Sequence, residues 1–358
     1  VAEIEEPIIP PPDSSSVDSS DYINPATIDA SKIYIPNEHK SNDFYKKSSK
    51  WSFARSKQSD HFVVFWEKGF GADPKASSVP EFYRVDIDDL LSKAEVFYDL
   101  NINTLKFAET GVGKSKLDLY KMQIYLFYTE EWMAYGAGYD DVIGALWINP
   151  ATVHPVGSVI AHEIGHSFQY QTFCDLGNGA GFRYGFGGNG GNGFWEQTAQ
   201  WQAMQSYPEQ IFGHHYNVYI ENYHRHICHE HYRYASYFIH YYWAEKHGED
   251  IIGQIWRQAK QPEDPIQAYM RLKGLTVNDL NAELYEAAAR NVTWDYDALR
   301  TLGSNYIGKQ TYKFYQIEDG SYQVAYSRCP GSTGYNVVPL NVPEAGTIIC
   351  PEQISDRN

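Results

Sequence analysis

The stretch "VIAHEIGHSFQYQ", residues 159–171, is uncharged except around His162, Glu163 and His166. It predicts a helix: the run is long and lacks the strict alternation of a half-buried strand. Residues four apart on a helix share a face, one turn from each other. His162 and His166 can therefore hold one metal ion together. Glu163 sits one residue round from the first imidazole, where it can touch a water on that metal without ligating the ion. Val159, Ile160 and Ala161 lead in, and Ile164, Gly165, Ser167 and Phe168 leave no charged face. Such a helix is predicted to be buried. Burying two imidazoles and a carboxylate without a partner is costly, and a divalent cation is the natural compensation.

A catalytic tetrahedral zinc site takes three protein ligands and keeps one position open. One known spacing places a histidine six residues after the second, behind a glycine. Here those positions hold Thr172 and Gln169, so that spacing fails. Glu196 is the expected third ligand. It stands in "GFWEQTAQW", residues 193–201, where a helix opens after a glycine-loaded stretch, and its aromatic and small neighbours would bury it. Asp175, His214 and His215 are the alternatives, with ordinary loop polarity as the competing account of each.

H-E-x-x-H on a helix after a short strand, with Glu196 on the next helix, resembles the zincin metallopeptidases, closest to the gluzincin, thermolysin-like branch. The stretches at residues 61–71, 149–171, 191–201 and 233–248 are also similar to an uncharacterised family of exported proteins classed as peptidases from Gram-negative gut bacteria. The resemblance implies an α+β fold: a zincin-like catalytic domain with a mixed sheet and an active-site helix, followed by a helical half. It implies Zn2+ held by His162, His166 and Glu196, with its water brought towards a pKa of about 7. Glu163 is then the general base. Tyr234, at the start of a helix predicted over 232–248, is the first choice for a donor to the oxyanion, and His231 the second. The strand "GALWINP", around Ala145 and Leu146, looks like the edge strand that pairs with an extended substrate. Thermolysin-like enzymes often carry an acid four residues after the ligand glutamate, bonded to a zinc histidine. This chain has Gln200 there, and a neutral amide orients an imidazole while raising its basicity less.

The rest of the 358-residue chain bounds these expectations. Acids outnumber bases 45 to 29, for a net charge of −16, which argues against nucleic-acid and anionic-membrane partners. No apolar run approaches the roughly 20 residues of a membrane span. Residues 1–50 are rich in Pro, Ser and acids at their start and read as a tether or an arm wrapped on the domain. Residues 51–303 form the expected catalytic domain. Residues 304–358, with short alternating runs between Gly and Pro, read as a small all-β C-terminal module. Strands are predicted within 61–71, 116–128 and 144–150, and helices over 86–100, 194–207, 249–261 and 276–291. The chain opens with Val, which suits a processed, exported protein, secreted or held at the cell surface as a lipoprotein. The four cysteines form no C-x-x-C pair. Two disulfides or four free thiols both remain open, with Cys174 and Cys228 expected to lie near each other at the cleft.

Two further motifs compete for attention. "AETGVGKS", residues 108–115, imitates a phosphate loop but has Ala where the pattern needs its first Gly, and no core strand leads into it. "HRHICHEH", residues 224–231, could place several ligands on one side of an extended segment, but it reads more simply as a polar approach to the next helix. Two function classes follow. One is a zinc peptidase acting on peptides or proteins, glycoproteins included. The other is a surface protein that binds glycans or glycoproteins on a zincin scaffold. All four residues of the metal motif are present, which favours the enzyme.

Overall fold

The computed structural model describes residues 19–184, 192–318, 320–340 and 345. The fold is α+β. Five strands, β1 (Ser56–Gln58), β2 (Phe62–Trp66), β3 (Met122–Leu126), β4 (Ala134–Tyr139) and β5 (Ile143–Ile148), form one mixed sheet in the order β1-β2-β3-β5-β4. β2, β3 and β5 run parallel, while β1 and β4 close the two edges antiparallel. β2 and β3 are buried along their whole length, which is why "FVVFW" and "MQIYL" are near-continuous apolar runs rather than alternating ones.

Helix α1 (Ile87–Asp99) crosses between β2 and β3. Its first turn is held by Asp86, whose carboxylate accepts from the amides of Asp88 and Asp89. Asp88 and Asp89 themselves suit the positive end of the helix dipole. Ile87, Leu90, Leu91, Ala94, Phe97 and Tyr98 make its buried stripe, at the spacing of one helix face.

Helix α2 (Ser158–Leu176) follows β5 and lies across β4 and β5. Helix α3 (Asn192–Met204) packs along α2. The remainder is helical: α4 (His214–Asn222), α5 (Phe238–His247), α6 (Ile251–Arg257), α7 (Pro265–Lys273) and α8 (Val277–Thr293). A hairpin of β6 (Phe314–Gln316) and β7 (Tyr322–Val324) forms the small C-terminal sheet. Beyond that hairpin the chain lies along α4. Gly331 donates to the His224 carbonyl at 2.7 Å, and the Tyr219 and Tyr335 hydroxyls meet at 2.8 Å. No helix among the described residues is long and apolar enough to cross a membrane.

Several expectations change in detail. The segment at 116–118 is a 3-10 turn capped by Ser115, so only Met122–Leu126 of the predicted strand pairs. The helix expected over 232–248 starts at Phe238; Glu230–Tyr232 is a separate 3-10 turn, and Tyr234 lies between the two. β4, α4 and α7 are not among the predicted elements. Residues 19–50 run as short turns laid against the sheet, with Ile33 and Phe44 buried in the core. The Asp140 carboxylate accepts there from the Asn37 amide at 2.7 Å and the Tyr34 hydroxyl at 2.9 Å. The first 18 residues of the expected arm, residues 185–191 of the glycine-loaded stretch, and Cys350 lie outside the described residues.

Candidate metal centre

Close backbone approach builds the site. A Cβ on Gly136 of β4 would lie 2.0 Å from the Glu163 carbonyl oxygen and 2.8 Å from the His166 Cβ. Only glycine lets the edge strand press this tightly on the turn that carries both residues. On the opposite side, a Cβ on Gly165 would sit 2.9 Å from Gln202 Oε1 and 3.4 Å from the Ala199 Cα. That crossing brings α3 close enough for Glu196 to reach both imidazoles.

His162, His166 and Glu196 converge as the sequence predicts, and all three are buried. Glu196 Oε2 stands 3.2 Å from His162 Nε2 and 3.0 Å from His166 Nε2. Donor atoms around a tetrahedral ion at ligand distance sit roughly 3.3 Å apart, so the spacing fits. The other ring nitrogens are committed. His162 Nδ1 lies 2.7 Å from Gln200 Oε1, and His166 Nδ1 lies 3.0 Å from Gln169 Oε1. An amide oxygen only accepts, so each Nδ1 carries a proton and Nε2 is the ring atom turned towards Glu196. Two imidazole Nε2 atoms and a carboxylate meeting in a buried space are the donor set of a metal site. The triad can hold a metal ion.

The chemistry of the donors agrees. Burial alone would raise the Glu196 pKa, but its bonds to His162 and His166 outweigh that and hold the carboxyl well below its ordinary range. Burial alone would lower the pKa of His166, but the Glu196 carboxylate outweighs it and the net shift is upward. A buried anion that needs a positive partner is again what a cation supplies.

The amide behind His166 belongs to a longer chain. Gln169 Nε2 donates to the Trp195 carbonyl at 3.1 Å and to Gln202 Oε1 at 3.0 Å. Gln202 Nε2 donates to Asn101 Oδ1 at 2.6 Å, and Asn101 Nδ2 to the Phe97 carbonyl at 2.9 Å. Each donor faces an acceptor, so the polarity of the chain is determined from α1 to the imidazole. Gln200, four residues after Glu196, bonds His162, as its spacing from Glu196 implies.

A cleft of about 520 Å³ opens on one side of the triad, lined by Trp132, Val159, His162, Glu163, Glu209, His215 and Tyr234 among others. Glu163 reaches it and is only 7% exposed. The Tyr234 ring lies 5.9 Å from that of His162 and 5.9 Å from that of His215. His214 and His215 line this cleft without joining the triad, and burial lowers the His215 pKa to about 4. His231 is not brought in: it is exposed, with its ring against His229. Asp175 is also elsewhere, accepting from the Lys116 amide and from Gln171.

Ala145 and Leu146 require a correction. They lie on β5, which is paired on both sides and leaves both residues fully buried. The edge strand beside the cleft is β4, hidden in sequence by its small residues. The unanticipated contact is Tyr184, whose hydroxyl donates to Glu196 Oε1 at 2.7 Å. It stands in the glycine-loaded stretch, where nothing in the spacing singles it out.

Cys174 and Cys228 are free thiols, as is Cys329. Cys174 lies at the far end of α2 near Asp175 and Asp141, while Cys228 lies near Gln197 and Asp264. The phosphate-loop imitation is occupied by its own chain: the Gly111 and Gly113 amides donate to the Asp118 carboxylate at 2.6 Å and 2.9 Å. Among the described residues, the histidine-rich segment at 224–231 contributes to no metal-holding group.

No curated protein and no solved structure matches the chain. Over residues 25–351 it matches the model described as "Family of unknown function (DUF6055)", and it belongs to that family.

Proposed function

We propose that the protein is a zinc-dependent peptidase of the gluzincin type. The observation that carries this reading is the convergence of His162 Nε2, His166 Nε2 and Glu196 Oε2 beside a cleft that Glu163 lines. When bound, zinc supplies Lewis acidity towards a carbonyl and makes water a better acid. Gln200 and Gln169 hold the two imidazoles in the tautomer that offers Nε2. Glu163, adjacent to His162 but outside the ligand set, accepts the proton of the attacking water and passes it to the leaving amine. The Tyr234 hydroxyl is kept protonated by burial and by the Glu196 charge, so it can donate to the developing oxyanion. β4, the edge strand against α2, is where an extended peptide backbone can pair.

The test is metal content together with cleavage of a peptide library, for wild type and two variants. Glu163→Gln keeps size and helix preference but cannot accept the proton. It should retain zinc and melting temperature while losing about 10²–10⁴-fold in activity. His166→Ala should lose the metal. A zinc-loaded Glu163→Gln that cleaves as fast as wild type rules the base out. A wild type that cleaves nothing and binds mucin-type glycans tightly would put the binding-protein reading in its place.

A further inference from the structure

We propose that Tyr184 is a positioning residue that makes Glu196 present a single carboxylate oxygen to the metal. This rests on the metal reading above but not on peptidase activity. The two oxygens of Glu196 have different partners. Oε2 faces His162 Nε2 at 3.2 Å and His166 Nε2 at 3.0 Å, while Oε1 accepts from the Tyr184 hydroxyl at 2.7 Å. A carboxylate can ligate through one oxygen or chelate through two. Chelation by Glu196 would take up the coordination position that a catalytic site must keep open. The Tyr184 bond opposes that rotation.

The phenol is placed for this by its neighbours. Its ring meets the His166 ring edge-on at 6.4 Å and the Trp195 ring edge-on at 5.8 Å. Trp195 precedes Glu196 on α3, so one helical turn sets both the ligand and the wall against which Tyr184 rests. A tyrosine hydroxyl is a hydrogen-bond donor at neutral pH, and here it donates to Glu196 Oε1 at 2.7 Å. Arg233 and Tyr234 are the other groups that act on it. Arg233 is itself paired with Glu230 at 2.8 Å; Tyr234 also interacts with the Glu196 carboxylate, but the short bond to Oε1 is that of Tyr184. The side chain is 51% exposed, so deleting its hydroxyl leaves the core packing intact.

Tyr184→Phe, prepared free of metal beside wild type, separates the possibilities. Zinc affinity is measured by competition with a chromophoric chelator, and the Co2+-loaded proteins are compared by visible absorption, whose intensity falls as coordination rises above four. The variant should bind zinc about 10–100-fold more weakly and show a weaker Co2+ spectrum, with the metal-free melting temperature unchanged. Zinc affinity within about twofold of wild type would overturn the role of Tyr184 while leaving the metal site standing. A wild type that binds no zinc would overturn both. Neither measurement depends on cleavage, so a failure of the peptidase reading is seen separately.

Discussion

At His162 and His166, two glutamines do work more often assigned to carboxylates. Each amide oxygen fixes the proton on Nδ1, and neither adds a negative charge to a site that already holds Glu163 and Glu196. Removing such an acceptor leaves a buried N–H without a partner, which costs about 1–3 kcal/mol, and lets the ring rotate away from the ligand position. Gln200→Leu should therefore weaken zinc binding by about 10–100-fold while leaving the fold cooperative. Chelator competition measures the first and thermal unfolding the second. Gln169→Leu should act similarly on His166 and also free Gln202, since both belong to the chain that ends at the Phe97 carbonyl. An unchanged zinc affinity in Gln200→Leu would mean that packing alone orients His162.

Among the elements, the contact that decides the site is β4 against α2. Gly136 and Gly138 of β4, with Gly144 of the neighbouring β5, face α2 at distances that no Cβ could occupy: it would meet the Glu163 carbonyl, the Tyr170 ring and the Ser167 carbonyl at 2.0, 2.2 and 2.8 Å. Gly136→Ala should cost at least the roughly 1–3 kcal/mol of an overpacked core, because the first atom in its way is backbone and not a flexible side chain. The displaced turn carries Glu163 and His166, so zinc affinity should fall together with the melting temperature. A stable variant with unchanged metal binding would show that β4 is free to move away. The same feature explains why β4 escapes a sequence reading. "AYGAGY" lacks the branched and bulky residues that mark strands, because closeness was needed there more than side-chain packing. α7 is different, since its capping box of Asp264 and Gln267 around Pro265 is written in the sequence.

Over the whole molecule, the net charge of −16 and the lining of the cleft point the same way. Glu163 and Glu209 border the cleft, and no lysine or arginine does so among the described residues. Under the proposed peptidase activity, peptides carrying Lys or Arg near the scissile bond should be cleaved with a kcat/KM about tenfold above matched Glu peptides at low salt. The gap should close as ionic strength rises and the screening length shrinks. Glu209→Lys should narrow it at low salt. Equal rates for both peptide series at low salt would show that the field of the molecule plays no part in selection.

The cluster of His162, His166 and Glu196 and the helix that carries its histidines were legible in the linear sequence because their constraint is local: a four-residue spacing, an apolar surround and a glutamate opening the next helix. α1 and β2 were legible for the same reason, through a capping residue, a stripe and an apolar run. Which strand forms the edge, where Tyr234 and His231 come to lie, and which side chain holds the second oxygen of Glu196 were decided only in three dimensions. Ala145 and Leu146 carry a strand pattern, but sheet order depends on pairing between β3, β4 and β5, and no local pattern encodes it. His231 and Tyr234 are three residues apart, yet only Tyr234 borders the cleft, because a 3-10 turn ends at Tyr232 and redirects the chain before α5 begins. Tyr184 and Glu196 stand 12 positions apart with no helix or strand spacing that relates them, so their contact exists only once α2 and α3 have packed.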